Sequence, residues 1–361
     1  MALKVFLLVV LIAVVAAACN QPGRLESQPT GAAVPITASV QIPAPLGLPP
    51  VPIPVDNQPT AETIALGRKL FYDPTLSVDN TIACASCHAP ASGFTDGKPV
   101  SEGVNGQKGG RSAPTIFNAA YYTTQFWDGR SPNLEDQAAG PPQNPIEMAH
   151  TLDAIEEKLA ADPTYRAEFE KAFGPGPINY DMVGKAIASF ERTVISANSP
   201  FDRYFYGGEE TALSEVARRG LEIFRNPEKG NCTACHVLGL FTDNLFHNIG
   251  VGIGEDGELT DLGRFEVTGK DSDRGAFKTT SLRNIALTAP YMHDGSLKTL
   301  AEVIDFYVGG GNSNPHLDPQ LKVLTPLTET GEENWSRSDL VAFLESLTGE
   351  IPPNTGPPEP R

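Results

Sequence analysis

Cys84-Ala-Ser-Cys87-His88 and Cys232-Thr-Ala-Cys235-His236 each place two thiols and an imidazole within five residues, twice in one chain. Two cysteines three apart can bridge the vinyl groups of a porphyrin as thioethers. The histidine that follows can ligate the iron from one face, and Cys-x-x-Cys-His is the attachment signature of c-type haem. A lone Cys-x-x-Cys also suits a redox dithiol or half of a zinc site. A zinc site built from both copies would need them side by side and would leave both histidine spacings without a purpose. The two copies therefore predict two covalently bound haem c groups, with His88 and His236 as proximal iron ligands. The second axial position then sets the chemistry. A six-coordinate iron mostly passes electrons, whereas a five-coordinate iron leaves a site open for peroxide or oxygen. His150, His247, His293 and His316 remain, and local spacing places none of them.

The elements that must hold these motifs repeat as well. Gly67-Arg-Lys-Leu-Phe71 precedes the first motif and Gly220-Leu-Glu-Ile-Phe224 the second, with the two motif histidines 148 residues apart, a domain-sized interval. Thr60 is placed to cap a helix reaching Tyr72, and further helical patterns run over 151–173, 180–196, 213–225, 299–308 and 337–347. Few stretches alternate at period two. The expected fold is mainly α: two haem domains from an internal duplication, with long loops such as 92–112 and 248–276 and few short strands. The domains are expected over 60–199 and 200–350, divided near Ser199-Pro200.

Five cysteines in 361 residues are too few for a disulfide framework, and no disulfide is expected. The 27 Lys+Arg against 44 Asp+Glu give a net charge of −17, which disfavours general nucleic-acid binding. Residues 1–19 run from Lys4 through an apolar stretch to Ala16-Ala-Ala-Cys19, the order of an export signal. The small residues before Cys19 resemble a bacterial lipoprotein signal, with Cys19 the lipidated residue. The expected location is therefore exported and periplasmic, on a membrane through a lipid anchor. Residues 20–59 are rich in Pro, Gly and Ala and read as a linker, and 351–361 read as a disordered tail.

Beyond the two haem motifs stand Gln125-Phe-Trp-Asp-Gly-Arg130, Glu147-Met148, Leu282-Arg-Asn284 and Ala289-Pro-Tyr-Met-His-Asp-Gly295. With these the stretch 60–345 resembles the bacterial di-haem cytochrome c peroxidase and MauG family. The resemblance implies two cytochrome c-like helical domains, the N-terminal haem being the peroxidatic one. Gln137, Pro141 and Glu147 follow Trp127 by 10, 14 and 20 positions, as on the family's distal face. It implies that Glu147 is the acid/base on peroxide with Gln137 beside it, and that Trp127 relays electrons between the haems. A carboxylate over the iron can carry the proton that O–O cleavage must move.

Two positions depart from the activated peroxidases. Where they carry a haem-capping histidine this chain has Val104, which cannot ligate iron, so the N-terminal haem is expected five-coordinate. Where they carry a distal methionine, 14 residues after His293, this chain has Tyr307, as MauG has. Tyr307 shares a helical face with Leu300, Val303 and Ile304, so it is expected to point inward, with Met292 as the rival ligand. The resemblance also implies a calcium ion held by the carbonyls of Thr288 and Pro290. Ser112 stands in place of the family's asparagine, and calcium sites tolerate mixed oxygen donors.

Three functions follow. The first is a peroxidase reducing hydrogen peroxide with electrons from a small cytochrome c or cupredoxin. The second is a MauG-like enzyme that oxidatively modifies a partner protein. The third is a non-catalytic di-haem electron-transfer protein, which would need both irons six-coordinate. By family analogy alone, a homodimer is expected.

Overall fold

A computed structural model describes residues 38–321 and 337–359. Cys19 and the rest of the export signal lie outside the described residues. The helices in chain order are α1 (Ala61–Tyr72), α2 (Cys84–Cys87), α3 (Leu134–Gln137), α4 (Gly140–Gln143), α5 (Leu152–Ala161), α6 (Pro163–Phe173) and α7 (Tyr180–Glu191). They continue with α8 (Pro200–Phe205), α9 (Glu215–Arg225), α10 (Phe265–Thr268), α11 (Leu300–Val308) and α12 (Arg337–Glu345). Among the described residues the one sheet is an antiparallel pair, β1 (Phe246–His247) with β2 (Phe277–Lys278), in the register Phe246 to Lys278. The protein is thus mainly helical with few strands.

Thr60 caps α1 in a reciprocal capping box with Thr63. Thr299 caps α11 by accepting from the Glu302 N–H. The single helix expected over 151–173 is two. Asp162 ends α5 and then caps α6 through the Thr164 and Tyr165 N–H groups, with Pro163 at the first turn where its missing N–H costs nothing. The helix expected over 180–196 stops at Glu191. The short α8, capped by Ser199, has too few residues for periodicity to reveal it.

Each haem motif follows a helix that crosses a later helix at very close range. A Cβ on Gly67 of α1 would lie 1.8 Å from the Ala186 carbonyl oxygen of α7, and one on Gly220 of α9 would lie 2.0 Å from that of Asp339 of α12. Only glycine permits these crossings, which explains the glycine of the repeated Gly-x-x-x-Phe. Each phenylalanine then enters its own core. Phe71 packs with Phe94, Phe117 and Phe190, and Phe224 packs with Phe201, Phe241 and Phe343.

The Pro-rich segments depart from expectation. Residues 38–59 are not a free linker but lie along the folded body. Val51 packs with Tyr121 and Ile195, the Asn57 side chain donates to Glu135 at 2.6 Å and to the Lys185 carbonyl at 3.1 Å, and Gly47 offers its carbonyl to Arg283 at 2.9 Å. Arg283 is fully buried and holds both Asp202 oxygens at 2.8 and 2.9 Å. The tail is also tied down. Arg68 donates to the Gly356 and Pro357 carbonyls, and the Tyr72 hydroxyl to that of Thr355. Proline has no N–H to give, so Pro-rich chain leaves many carbonyls without a backbone partner, and these accept from side chains of the body.

Candidate functional site

One cavity of about 780 Å³ runs through the described residues, and both haem motifs open onto it. The cysteines Cys84, Cys87, Cys232 and Cys235 are unpaired thiols in its wall. Burial pushes the Cys84 and Cys232 thiols up to about 12, so both are neutral. The His88 Nδ1–H faces the Phe94 carbonyl at 3.2 Å, and the His236 Nδ1–H faces that of Phe241 at 2.9 Å. Burial also lowers both imidazoles, which keeps them neutral. A neutral ring with its Nδ1–H engaged has its Nε2 lone pair free for a metal. Phe94 and Phe241 take left-handed backbone angles, φ +58° and +56°, to present those carbonyls, and full burial of both rings holds them there. Two thiols, an oriented imidazole and an apolar wall, in duplicate, fit haem c.

The remaining residues expected at the site face the same cavity. Gln137 on α3, Pro141 on α4 and Glu147 just beyond line it together with His88. The Glu147 Oε1 accepts from the Asn144 side chain at 2.6 Å. Burial raises its carboxyl above the ordinary range, with Asn144 and Arg130 opposing. Val104 is buried behind the wall, and its N–H donates to the Glu147 carbonyl at 2.9 Å. Gly103 makes this approach possible, since a Cβ there would lie 2.0 Å from the Ile146 oxygen. The loop at 103–107 thus braces Glu147.

Trp127 is held by its indole N–H, which donates to the Ser112 carbonyl at 2.9 Å, and its ring meets that of His293 edge-on at 6.4 Å. His293 stacks on Phe277 at 3.6 Å. His247 has both nitrogens occupied, by Asp318 at 2.6 Å and Asp243 at 2.9 Å, so it has no lone pair to offer iron. It forms a cluster with Cys235 and Asp243 at metal-ligand spacing, but that sulfur is one of the haem anchors. His150 and His316 do not line the cavity. Tyr307 and Met292 both do, and burial raises the Tyr307 phenol, with the Cys235 and Cys232 sulfurs adding to the rise.

Ser112, Thr288 and Pro290 also reach this wall, and among the described residues no side chain or N–H is bonded to the Thr288 or Pro290 carbonyl. Carbonyls without a hydrogen-bond donor, and a hydroxyl, are oxygens of the kind a hard cation takes. Two charged residues of the wall have no motif to mark them. Glu191 is 5% exposed and pushed up by burial to about 8, against the pull of Arg192. Lys278 is 6% exposed and pushed down by burial to about 7.

The site and fold define a di-haem c-type oxidoreductase. A family model described as di-haem cytochrome c peroxidase matches residues 61–211. The methylamine utilization protein MauG of Methylorubrum extorquens is 41% identical over 301 residues, 83% of this chain and 82% of that protein. The cytochrome-c peroxidase IdrP1 of Denitromonas iodatirespirans is 38% identical, over 84% of this chain and 86% of that one. A solved structure of a MauG-like protein associated with microbial copper homeostasis is 37% identical with a TM-score of 0.75, covering 85% of this chain and 95% of that one. The chain belongs to the di-haem cytochrome c peroxidase family, an enzyme family whose members carry two haem c groups.

Proposed function

We propose that this protein is an exported di-haem peroxidase that reduces hydrogen peroxide, with two electrons and two protons, to two waters. The electrons come from a small cytochrome c or cupredoxin. The observation that carries this reading is the grouping of Glu147, Gln137 and Pro141 with His88 on one cavity, while Val104, the residue at the capping position, is buried and cannot bind iron. When bound, the N-terminal haem would supply a redox-active iron and, through it, the donor's electrons that O–O cleavage consumes. His88, its Nδ1–H facing the Phe94 carbonyl, would hold that iron through Nε2. Glu147 takes the proton from the near oxygen of peroxide and gives it to the leaving oxygen, so that water rather than hydroxide departs. Gln137 orients the peroxide and Pro141 keeps the face apolar. His236 and Tyr307 would hold the second iron, and Trp127 would join the two sites. Ser112, Thr288 and Pro290 would hold a calcium ion, which would tie the Trp127 region to the Pro290 loop. The sequence of residues 1–19 supports export with lipidation at Cys19. The repeated close helix crossings support two domains derived by duplication, 60–199 and 200–350.

Electron paramagnetic resonance of the oxidised holoprotein tests the reading. One high-spin and one low-spin iron are expected, with turnover of peroxide on adding a reduced donor and no prior half-reduction. Two low-spin irons indifferent to peroxide would leave only an electron-transfer protein. The second reading, oxidative modification of a partner protein, is favoured by Tyr307 with Val104 and by the likeness to a methylamine utilization protein.

Asn144→Ala bears on the proton carrier. The Asn144 bond is the larger of two influences, with Arg130, that lower Glu147 against burial. Its loss should raise the carboxyl further, so the acidic limb of the kcat/KM profile should move to higher pH. A limb that stays put or moves down would mean that another group sets it.

A further inference from the structure

Gln125-Phe-Trp-Asp-Gly-Arg-Ser131 and Tyr291-Met-His-Asp-Gly-Ser-Leu297 stand 166 residues apart. Both fold into the same tight loop, closed by a bridge between first and last residue, Gln125 to Ser131 and Tyr291 to Leu297. Both take left-handed angles at the second and fifth positions, Phe126 (+65°) and Gly129 (+68°) against Met292 (+73°) and Gly295 (+62°). The loops are cross-linked reciprocally. The Ser112 N–H donates to the His293 carbonyl at 2.7 Å, and the Lys278 N–H donates to the Trp127 carbonyl at 2.8 Å. Ser112 and Lys278 are themselves 166 residues apart, as are Trp127 and His293. The contact therefore has local two-fold character, with Trp127 and His293 meeting beside the axis.

The same offset carries the proposed calcium donors onto the other half: Ser112 onto Lys278, Thr288 onto Tyr122, and Pro290 onto Thr124. There the Lys278 ammonium donates to the Thr124 carbonyl and stands 4.7 Å over the Tyr122 ring. A carbonyl oxygen and an aromatic face are both cation acceptors. We propose that Lys278 is a built-in cation that takes, in one half, the place calcium takes in the other, and that it positions Trp127 between the two haem sites. Its backbone holds the Trp127 carbonyl and its side chain holds Thr124 at the root of the same loop. The comparison with calcium rests on the calcium reading above, whereas the hold on Trp127 and the charge do not.

The charged groups around the ammonium are Asp128, which favours its charge, and Arg264, which opposes it. The test therefore reads both haem potentials of the holoprotein by spectroelectrochemistry at about pH 6, below the value to which burial brings Lys278. Lys278→Gln keeps a donor for Thr124 and removes the charge, and Lys278→Arg keeps the charge. A buried positive charge disfavours the oxidised, more positive site. K278Q should therefore shift the one-electron equilibrium of at least one haem toward the oxidised form, by roughly tenfold for one nearby buried charge. K278R should restore it. Wild-type potentials in K278Q overturn the proposal. If K278Q does not accumulate, K278R with potentials displaced from wild type overturns it equally. Calcium per chain, measured by atomic emission on the wild type, decides the other reading separately: one ion is expected, and none removes the comparison while the potentials still judge Lys278.

Discussion

Glu147→Gln is expected to cut peroxide turnover by about 10²–10⁴-fold, the span a positioned proton carrier contributes. Glutamine matches glutamate in shape and its amide oxygen can still accept the 2.6 Å bond from Asn144, so the loop keeps its anchor. It cannot take up and return a proton at peroxide. The loop is fixed from behind as well, by the Val104 N–H on the Glu147 carbonyl and by the close approach at Gly103. Both haem groups should therefore stay attached and the spin states unchanged. Haem content and paramagnetic resonance on the same sample separate a lost proton carrier from a lost pocket. Turnover that survives at the wild-type rate would remove Glu147 from the reaction.

Tyr307→Met should raise the potential of the C-terminal haem by on the order of 0.1–0.5 V, inside the ~0.8 V range that axial ligands span. Burial pushes the Tyr307 phenol far above its ordinary value, with the Cys235 and Cys232 sulfurs adding to the rise. A buried tyrosine gives up its proton only to a strong local positive charge, and an oxidised iron beside the haem motif is such a charge. A phenolate then favours the oxidised metal, whereas a thioether favours the reduced one. Spectroelectrochemistry of the variant checks this. An unmoved potential and spectrum would return Tyr307 to the core and leave Met292, which lines the same cavity, as the ligand to test.

Much of the site was legible because its chemistry is local. Cysteine, cysteine and histidine at i, i+3 and i+4 lie on one turn of chain, and no distant contact is needed to bring them together. The glycine and phenylalanine ahead of each motif could be seen as a repeat, but their purpose appears only when Gly67 meets Ala186 and Gly220 meets Asp339. The four remaining histidines show the opposite case. Nothing near His247 in sequence reveals that Asp318, 71 positions on, closes its second nitrogen. Nor does any pattern reveal that His293 lies against Phe277 and Trp127. Glu191 and Lys278 escaped for the same reason. A single charged residue in an amphipathic stretch reads as solvated, and only the packed chain shows that each lies in the wall of the cavity.

The Pro-rich ends mark the limit most clearly. Composition correctly says that 38–59 and 351–359 build no core of their own. It does not say where they lie, because their unpaired carbonyls take whatever donors the folded body offers. Here these are Arg283, Arg68 and Tyr72. The sequence by itself determined the paired haem-attachment motifs, most of the longer helices with the Thr60 cap, and the family, all of which rest on residues within a few turns of one another. The tertiary structure alone decided the tying down of both ends, the bracing of Glu147 by the Val104 loop, and the two-fold contact that sets Lys278 beside Trp127. Each of these joins residues tens to hundreds of positions apart, whose meeting depends on the path of the whole chain.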